Sequence, residues 1–220
     1  MDDLSDWFEQ ATGYRPSDPA LFELALTHSS RAEENYERLE FLGDRVLGMS
    51  IAAWLYDLFP EEPEGSLSRR LNVLVSRAVC AEVARDINVP QRMRLGKQAR
   101  EDGAQDSDNV LGDVVEALIG AVFLDGGFDP AEHVVQRLWA ARIGDQEKAP
   151  KHPKSALQEW AAANDRRPPV YDLVGRSGVP HAPTFMVKVT IKGIGDARGE
   201  GTTKQEAETE AAKALLRQVR

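Results

Sequence analysis

The spacing of apolar residues changes once along this chain, at GDQEKAPKHPKS (144–155), and that change limits the fold more than any other feature. Two prolines, a glycine and several charged residues make a solvated connector that no helix continues through. Before it, apolar residues recur every three or four positions, as in Leu67, Leu71, Leu74, Ala78 and Ala81. That is the repeat of a helix with one buried face. DPALFELALTHSS opens with Asp18 as N-cap and Pro19 at the first helical position. LSRRLNVLVSRAVCAEVARDI reads as one helix over 67–87. DNVLGDVVEALIGAVFLDGG reads as a long apolar helix closed by Gly126 and Gly127, and DPAEHVVQRLWAARI repeats the Asp–Pro opening at Asp129 and Pro130. No strand alternation and no internal repeat interrupt this part.

Beyond the connector the period falls to two. In PTFMVKVTIKG, Phe185, Val187, Val189 and Ile191 face one way, and Met186, Lys188, Thr190 and Lys192 the other. KSALQEWAAAN predicts a short helix before it and PPVYDLVGRS a first strand. IGDARGEGTT predicts a third strand after a glycine turn. TKQEAETEAAKALLRQ predicts a closing helix, with Thr203 and Glu206 in capping-box register. The expected architecture is an all-α domain over 1–145, a linker over 146–153 and a small α+β domain, ordered α-β-β-β-α, over 154–220.

Charge follows the same division. The net charge of −9 argues, taken whole, against a polyanionic partner. From Lys151 onward, however, 12 basic and 8 acidic residues leave +4, while the 15 basic and 28 acidic residues before it leave −13. An acidic body carries a basic tail. No apolar run approaches the ~18 residues of a membrane span, and the acidic opening MDDLSDWFEQ lacks the basic and apolar regions of a signal peptide. The single cysteine, Cys80, lies in a helical run and reads as a small buried hydrophobe. A reducing, cytoplasmic setting is expected.

The run ERLEFLGDRVL (37–47) places Glu37, Glu40 and Asp44 at i, i+3 and i+7 of an otherwise apolar helix, and GDVVEALIG adds Asp113 and Glu116 at i and i+3. Each set taken alone reads as the solvated edge of an amphipathic helix. Taken together they leave little polar face for that purpose. Clustered buried carboxylates are costly unless they protonate or meet a cation. Oxygen ligands with no histidine or cysteine at matching spacing suit Mg²⁺ or Mn²⁺ rather than zinc, and a di-iron bundle would want Glu-x-x-His, where this chain has Glu40 and Glu116. A Mg²⁺ ion held by a few carboxylates suits phosphodiester hydrolysis.

ERLEFLGDRVL resembles the signature of the ribonuclease III family, with Arg45 where that family has serine. On an ideal helix Arg45 points about 100° away from Asp44. LTHSS (26–30), EGSLSRRLNVLVS and DVVEALIGAVFLDGG stand where the family has its other sequence blocks, and the tail is similar to its double-stranded-RNA-binding domain. The resemblance implies an all-α endonuclease domain that cuts double-stranded RNA with Mg²⁺, for which Mn²⁺ can substitute. The products would carry 5′-phosphates, 3′-hydroxyls and short 3′ overhangs, in rRNA and mRNA processing. It implies Glu40, Asp44, Asp113 and Glu116 as the metal set, with Asp44 and Glu116 catalytic, and Glu37 and Glu64 at the rim of the RNA cleft. Phe41 matches a residue inserted into a partner subunit, implying a homodimer. Gln158, Glu159, Pro180, His181, Thr203 and Lys204 match RNA-contacting positions, while Gln205 stands where the family often has lysine and Lys213 could share its task. His28 reads as a helix-end residue rather than a nucleophile or base. The alternative is a non-catalytic double-stranded-RNA-binding dimer; a single-strand or DNA nuclease is a weaker third reading, since no aromatic stacking platform is present.

Overall fold

Helices α1 (Leu4–Thr12), α2 (Pro19–Ala25), α3 (Glu37–Leu58), α4 (Glu64–Leu74), α5 (Arg77–Asp86), α6 (Lys97–Glu101), α7 (Asp108–Gly126) and α8 (Phe128–Gly144) follow one another through the first part of the chain. Helix α9 (Pro153–Ala163), strands β1 (Val170–Val179), β2 (Ala182–Ile191) and β3 (Gly195–Gly201), and helix α10 (Lys204–Val219) follow in the second. The structure, a computed structural model, describes residues 4–144, 153–179 and 182–219. It divides into two compact units, Met1–Pro150 and Lys151–Arg220. The expected linker lies outside the described residues except for Pro153, which begins α9 at the position where a missing N–H costs nothing.

The first unit is helical, as the three-and-four spacing predicts, and α7 runs through its middle. Leu111, Val114, Val115, Leu118, Ile119 and Val122 bury several sides of that helix, which packs against α2, α3, α5 and α8. Two glycines let α3 and α7 touch backbone to backbone. A Cβ on Gly43 would stand 1.7 Å from the carbonyl oxygen of Glu116, and one on Gly120 would stand 2.3 Å from that of Leu39. No larger residue fits either place. Helix α1 closes one side with Trp7 and Phe8, the Trp7 Nε1–H donating to the carbonyl of Ile87 at 2.8 Å. The fully buried Arg70 of α4 forks onto Glu62, between α3 and α4, at 2.8 and 2.6 Å and lies 3.8 Å over the ring of Phe59.

The stretch expected as one helix over 67–87 is two. Ser76 takes an extended backbone conformation and caps α5, its hydroxyl accepting from the N–H of Val79 at 3.5 Å. The end of α4 is held by the Trp139 Nε1–H, which donates to the carbonyl of Leu74 at 2.8 Å. An orphan carbonyl is thereby satisfied from α8, some sixty residues away in sequence. The apolar spacing runs straight through this break and conceals it.

The second unit carries the expected α-β-β-β-α order. Its antiparallel sheet has the order β1-β2-β3, with Val187 opposite Leu173 on one side and Gly199 on the other. A register shift between Leu173 and Gly175 marks a bulge in β1. Val187, Val189 and Ile191 face a core with Leu157, Ala161, Ala207, Ala211 and Leu215, and Phe185 packs at its edge. Gly199 lets α10 lie on the backbone of β3, since a Cβ there would meet the amide nitrogen of Ala211 at 2.1 Å. The Thr203 hydroxyl accepts from the N–H of Glu206 at 3.1 Å, but the Glu206 carboxylate reaches back to the N–H and hydroxyl of Thr202, both at 2.7 Å. The box is closed one residue earlier than expected.

Substituting Gly43→Ala should therefore force α3 and α7 apart. A loss of about 3 kcal/mol is expected, the scale of an overpacked core, read as a fall in the urea unfolding midpoint. A midpoint equal to the parent's would mean that the crossing relaxes without cost.

Candidate functional site

The crossing at Gly43 and Gly120 places Glu40 of α3 beside Asp113 and Glu116 of α7. One carboxylate oxygen from each lies within 4.8 Å of the others, and all three side chains are half-buried. Glu40 and Glu116 line a cavity of about 330 Å³ with Phe41, Asp44, Arg45, Val75 and Arg77. Burial pushes the Glu116 carboxyl up to about 7, and the neighbouring Glu40 and Asp113 add to the rise. Glu40 is raised by burial first and then by Asp113. Asp113 is raised by burial against the pull of Arg77 and a hydrogen bond from Tyr36. Three oxygen donors, half-desolvated and mutually repelling, with no histidine or cysteine in the group, fit a hard divalent cation.

Asp44 lines the same cavity but is not drawn into this cluster; its carboxylate pairs with the Arg45 guanidinium at the rim. Of the four expected ligands, then, three converge and one stands beside them. Phe41 is 68% exposed. It lies on the border between the cavity and an apolar hollow lined by Leu21, Leu24, Leu39, Leu42 and Leu124. Glu37 lines that hollow and acts on Glu40 only through its charge. Glu64 is exposed in the first turn of α4, accepting from the Ser68 hydroxyl at 2.6 Å, and is not part of the cluster.

In the second unit, Gln158 and Glu159 are exposed on α9. Thr203 and Lys204 are exposed at the start of α10, where free N–H groups and the helix dipole favour an anion. Gln205 follows them, also exposed, and Lys213 pairs with Glu210 at 2.6 Å. Pro180 and His181 lie outside the described residues.

Two further residues belong to the site. Arg77, the first residue of α5, has its guanidinium 3.9 Å from Asp113 and lines the cavity. Its position depends on the break at Ser76; the sequence signal was a serine followed by a basic residue inside an apolar repeat, which the repeat itself overrides. Tyr36 is buried just before α3 and hydrogen-bonds to Asp113. Burial and the surrounding carboxylates push its hydroxyl well above the ordinary tyrosine range, so it donates and does not ionise. His28 packs edge-on against Tyr36, and its Nδ1 accepts from the N–H of Ser30 at 3.0 Å, a loop-end role rather than a nucleophilic one. Cys80 is fully buried, and burial pushes its thiol up to about 12.

Glu116 ties stability to pH. Its carboxyl rises from 4.5 to about 7 on folding, so between those values the folded state holds more protons than the unfolded one. Stability contributed by the protonated group is complete below the lower value and is lost as pH climbs through the upper. For the metal-free protein, Glu116→Gln should melt with the parent at pH 4 and above it at pH 7.5. A gap that does not widen with pH, measured by scanning calorimetry, would contradict this burial.

A profile described as Ribonuclease-III-like matches residues 18–143, and one described as a double-stranded RNA binding motif matches residues 153–219. Ribonuclease 3 of Zymomonas mobilis is 61% identical over 215 residues, covering 98% of this chain and 87% of that protein. Ribonuclease 3 of Brucella canis is 44% identical over 211 residues, covering 94% and 86%. Among solved structures, the nuclease domain of ribonuclease III from Campylobacter jejuni aligns with a TM-score of 0.61 at 32% identity, over 69% of this chain and 100% of that one. A second structure of that domain, described for flexibility in a region involved in dimer formation, aligns with a TM-score of 0.59 at 34% identity, over 60% and 94%. Together with the helical body, the α-β-β-β-α tail and the clustered carboxylates, these likenesses show that the chain belongs to the ribonuclease III family of double-strand-specific endoribonucleases.

Proposed function

We propose that this chain hydrolyses phosphodiester bonds of double-stranded RNA with Mg²⁺ held by Glu40, Asp44, Asp113 and Glu116. The observation that carries the reading is the meeting of Glu40, Asp113 and Glu116 within 4.8 Å on two crossing helices. A family member is expected to use a divalent metal, and the all-oxygen donor set favours Mg²⁺, with Mn²⁺ as a substitute. When bound, such an ion supplies a water of lowered pKa and offsets charge on the leaving oxygen. Asp44 lies one helical turn beyond Glu40 on the same face and joins the set by leaving Arg45. Glu116, whose carboxyl sits at about 7, gives up its proton as the site fills. Asp44 and Glu116 are assigned the catalytic roles, and Glu37 and Glu64 the rim of the RNA cleft. The products would be 5′-phosphates and 3′-hydroxyls with short 3′ overhangs, in rRNA and mRNA processing in the cytoplasm. No described helix is long and apolar enough to cross a membrane.

The catalytic domain is assigned to 1–145 and the duplex-binding domain to 154–220. The basic tail captures the duplex, with Gln158, Glu159, Pro180 and His181 toward the shallow minor groove and Thr203 and Lys204 toward phosphate. Two catalytic units form a homodimer in which each Phe41 enters the hollow of the other. An aromatic ring left 68% in water beside a leucine-lined hollow of about 1020 Å³ supports that arrangement. Two symmetry-related clusters would then cut one strand each.

Incubating the protein with duplex RNA, with and without Mg²⁺, tests the chemistry in one gel; cleavage is expected only with the ion. Glu116→Gln should bind duplex as the parent does and cut it more than about 100-fold more slowly, beyond what loss of an outer-shell partner costs. Cutting at the parent rate would remove Glu116 from the metal set, whereas a parent that binds duplex and does not cut it with Mg²⁺ would leave the binding-only alternative standing. Phe41→Asp should sediment as a monomer at micromolar concentration, and a dimer of unchanged mass would place the interface elsewhere.

A further inference from the structure

The residue that opens α3 does not cap it. Tyr36 stands at the N-cap in a helical backbone conformation and makes no side-chain cap hydrogen bond, at a position that favours serine, threonine, aspartate or asparagine. Asn35 does that work from one residue earlier, its Oδ1 accepting from the N–H of Glu37 at 2.9 Å. The Tyr36 side chain turns inward instead. It is 5% exposed, and its hydroxyl hydrogen-bonds to Asp113 of α7.

The segment LTHSS holds the ring from behind. The Tyr36 N–H donates to the carbonyl of Thr27 at 3.0 Å and closes residues 27–36 into a loop. His28 lies edge-on against the Tyr36 ring, with centroids 5.7 Å apart. The Ser30 hydroxyl lies 2.8 Å from His28 Nδ1 and accepts from the N–H of Gly96 at 3.0 Å. Two backbone bonds stitch the loop to the chain before α6: the His28 N–H donates to the Arg94 carbonyl at 3.1 Å, and the Arg94 N–H to the Leu26 carbonyl at 2.8 Å. One line of contacts therefore runs from Gly96 through Ser30, His28 and Tyr36 to Asp113.

Asp113 is the carboxylate that gains from such a partner. It shares 4.8 Å of space with Glu40 and Glu116, and repulsion favours its swinging away from them. The Arg77 guanidinium stands 3.9 Å from it, beyond hydrogen-bond reach, and its charge opposes an incoming cation. A tyrosine hydroxyl engages one carboxylate oxygen, carries no charge and leaves the second oxygen to a metal. We propose that Tyr36 is a positioning residue for the metal site: its hydroxyl fixes the Asp113 carboxylate in its ligand orientation, and the LTHSS loop fixes Tyr36 through His28 and Ser30. This role rests on the metal-dependent reading above and deepens it, and it is the same whether one ion or more occupies the cavity.

The test uses the full chain without RNA and Mn²⁺ as probe, read by the loss of the free-ion electron paramagnetic resonance signal. Tyr36→Phe keeps the ring on His28 and removes only the hydroxyl. It should bind Mn²⁺ about tenfold more weakly, the lower end of what losing the partner of a metal ligand costs. Half-maximal cleavage of duplex RNA should need about tenfold more Mg²⁺, with KM for RNA unchanged and the rate recovering toward the parent's at saturating Mg²⁺. Ser30→Ala, at an exposed position, frees the His28 ring and should weaken Mn²⁺ binding in the same direction by less. Tyr14→Phe is the control: that hydroxyl donates to Asp125 at 2.7 Å, at the far end of the same helix, and its loss should leave Mn²⁺ binding at the parent's value. Parent-like Mn²⁺ affinity in Tyr36→Phe overturns the role, as does an equal weakening in Tyr14→Phe; where Tyr36→Phe unfolds, parent-like affinity in Ser30→Ala overturns it. A parent that neither binds Mn²⁺ nor cuts duplex RNA fails the proposed function and this role with it. An active parent whose variants bind Mn²⁺ unchanged fails this role alone.

Discussion

Gly43 against the carbonyl of Glu116 fixes two distances at once, one between helix backbones and one between charges. Helices usually pack with side chains between them, some 8–10 Å apart. Here backbone meets backbone, so Glu40, three residues before Gly43, is carried into the company of Asp113 and Glu116. Burial raises the carboxyls of all three, and the approach adds to the rise at Glu40 and Glu116. The core opposes the repulsion. Around the middle of α7, Val115, Ala117, Leu118, Ile119 and Val122 are almost wholly out of water, and the helix cannot turn its acids outward without exposing them. On the proposed reading a divalent ion would meet three donors already gathered, their ordering cost met when the protein folded.

The remaining charges of the acidic unit explain why duplex capture belongs to the other one. Five of its arginines are tied to its own carboxylates: Arg15 to Asp6 and Glu9, Arg85 to Asp108, Arg94 to Glu23, Arg142 to Asp86, and the buried Arg70 to Glu62. Such pairs leave little free positive field on a surface whose balance is already −13. The tail, at +4, presents Lys204 at a helix N-terminus. On the proposed reading affinity and chemistry are carried on different units, and the chemistry would keep a carboxylate density that repels RNA on its own.

Much of this was legible in the residues. The alternation of β2 is visible because one face meets a core and the other does not, and Asp18 caps α2 as its position predicts, accepting from the N–H of Ala20 at 3.0 Å. The acidic pairs on α3 and α7 stood out because they interrupt apolar runs. What escaped was tertiary. Nothing local shows that Trp139 ends α4 by taking the carbonyl of Leu74, so the break that creates Arg77's position was invisible. Tyr36 reads as one more aromatic before a helix until Asp113 is seen beside it. The pairing of Asp44 with Arg45 escaped for another reason: adjacent residues on a helix point apart, and only the length and flexibility of the arginine stem close the gap.

Phe41 joins the apolar hollow to the acidic cavity. It lines both the apolar hollow and the carboxylate cavity, and the Arg45 guanidinium rests near its ring. Whatever covers the hollow also fixes the wall of the cavity that Arg45 occupies. Burying Phe41 against a partner would thus do more than hold two subunits together. It would also set the position of Arg45 on the wall of the cavity, so that assembly and the shape of the cleft meet at the same side chain.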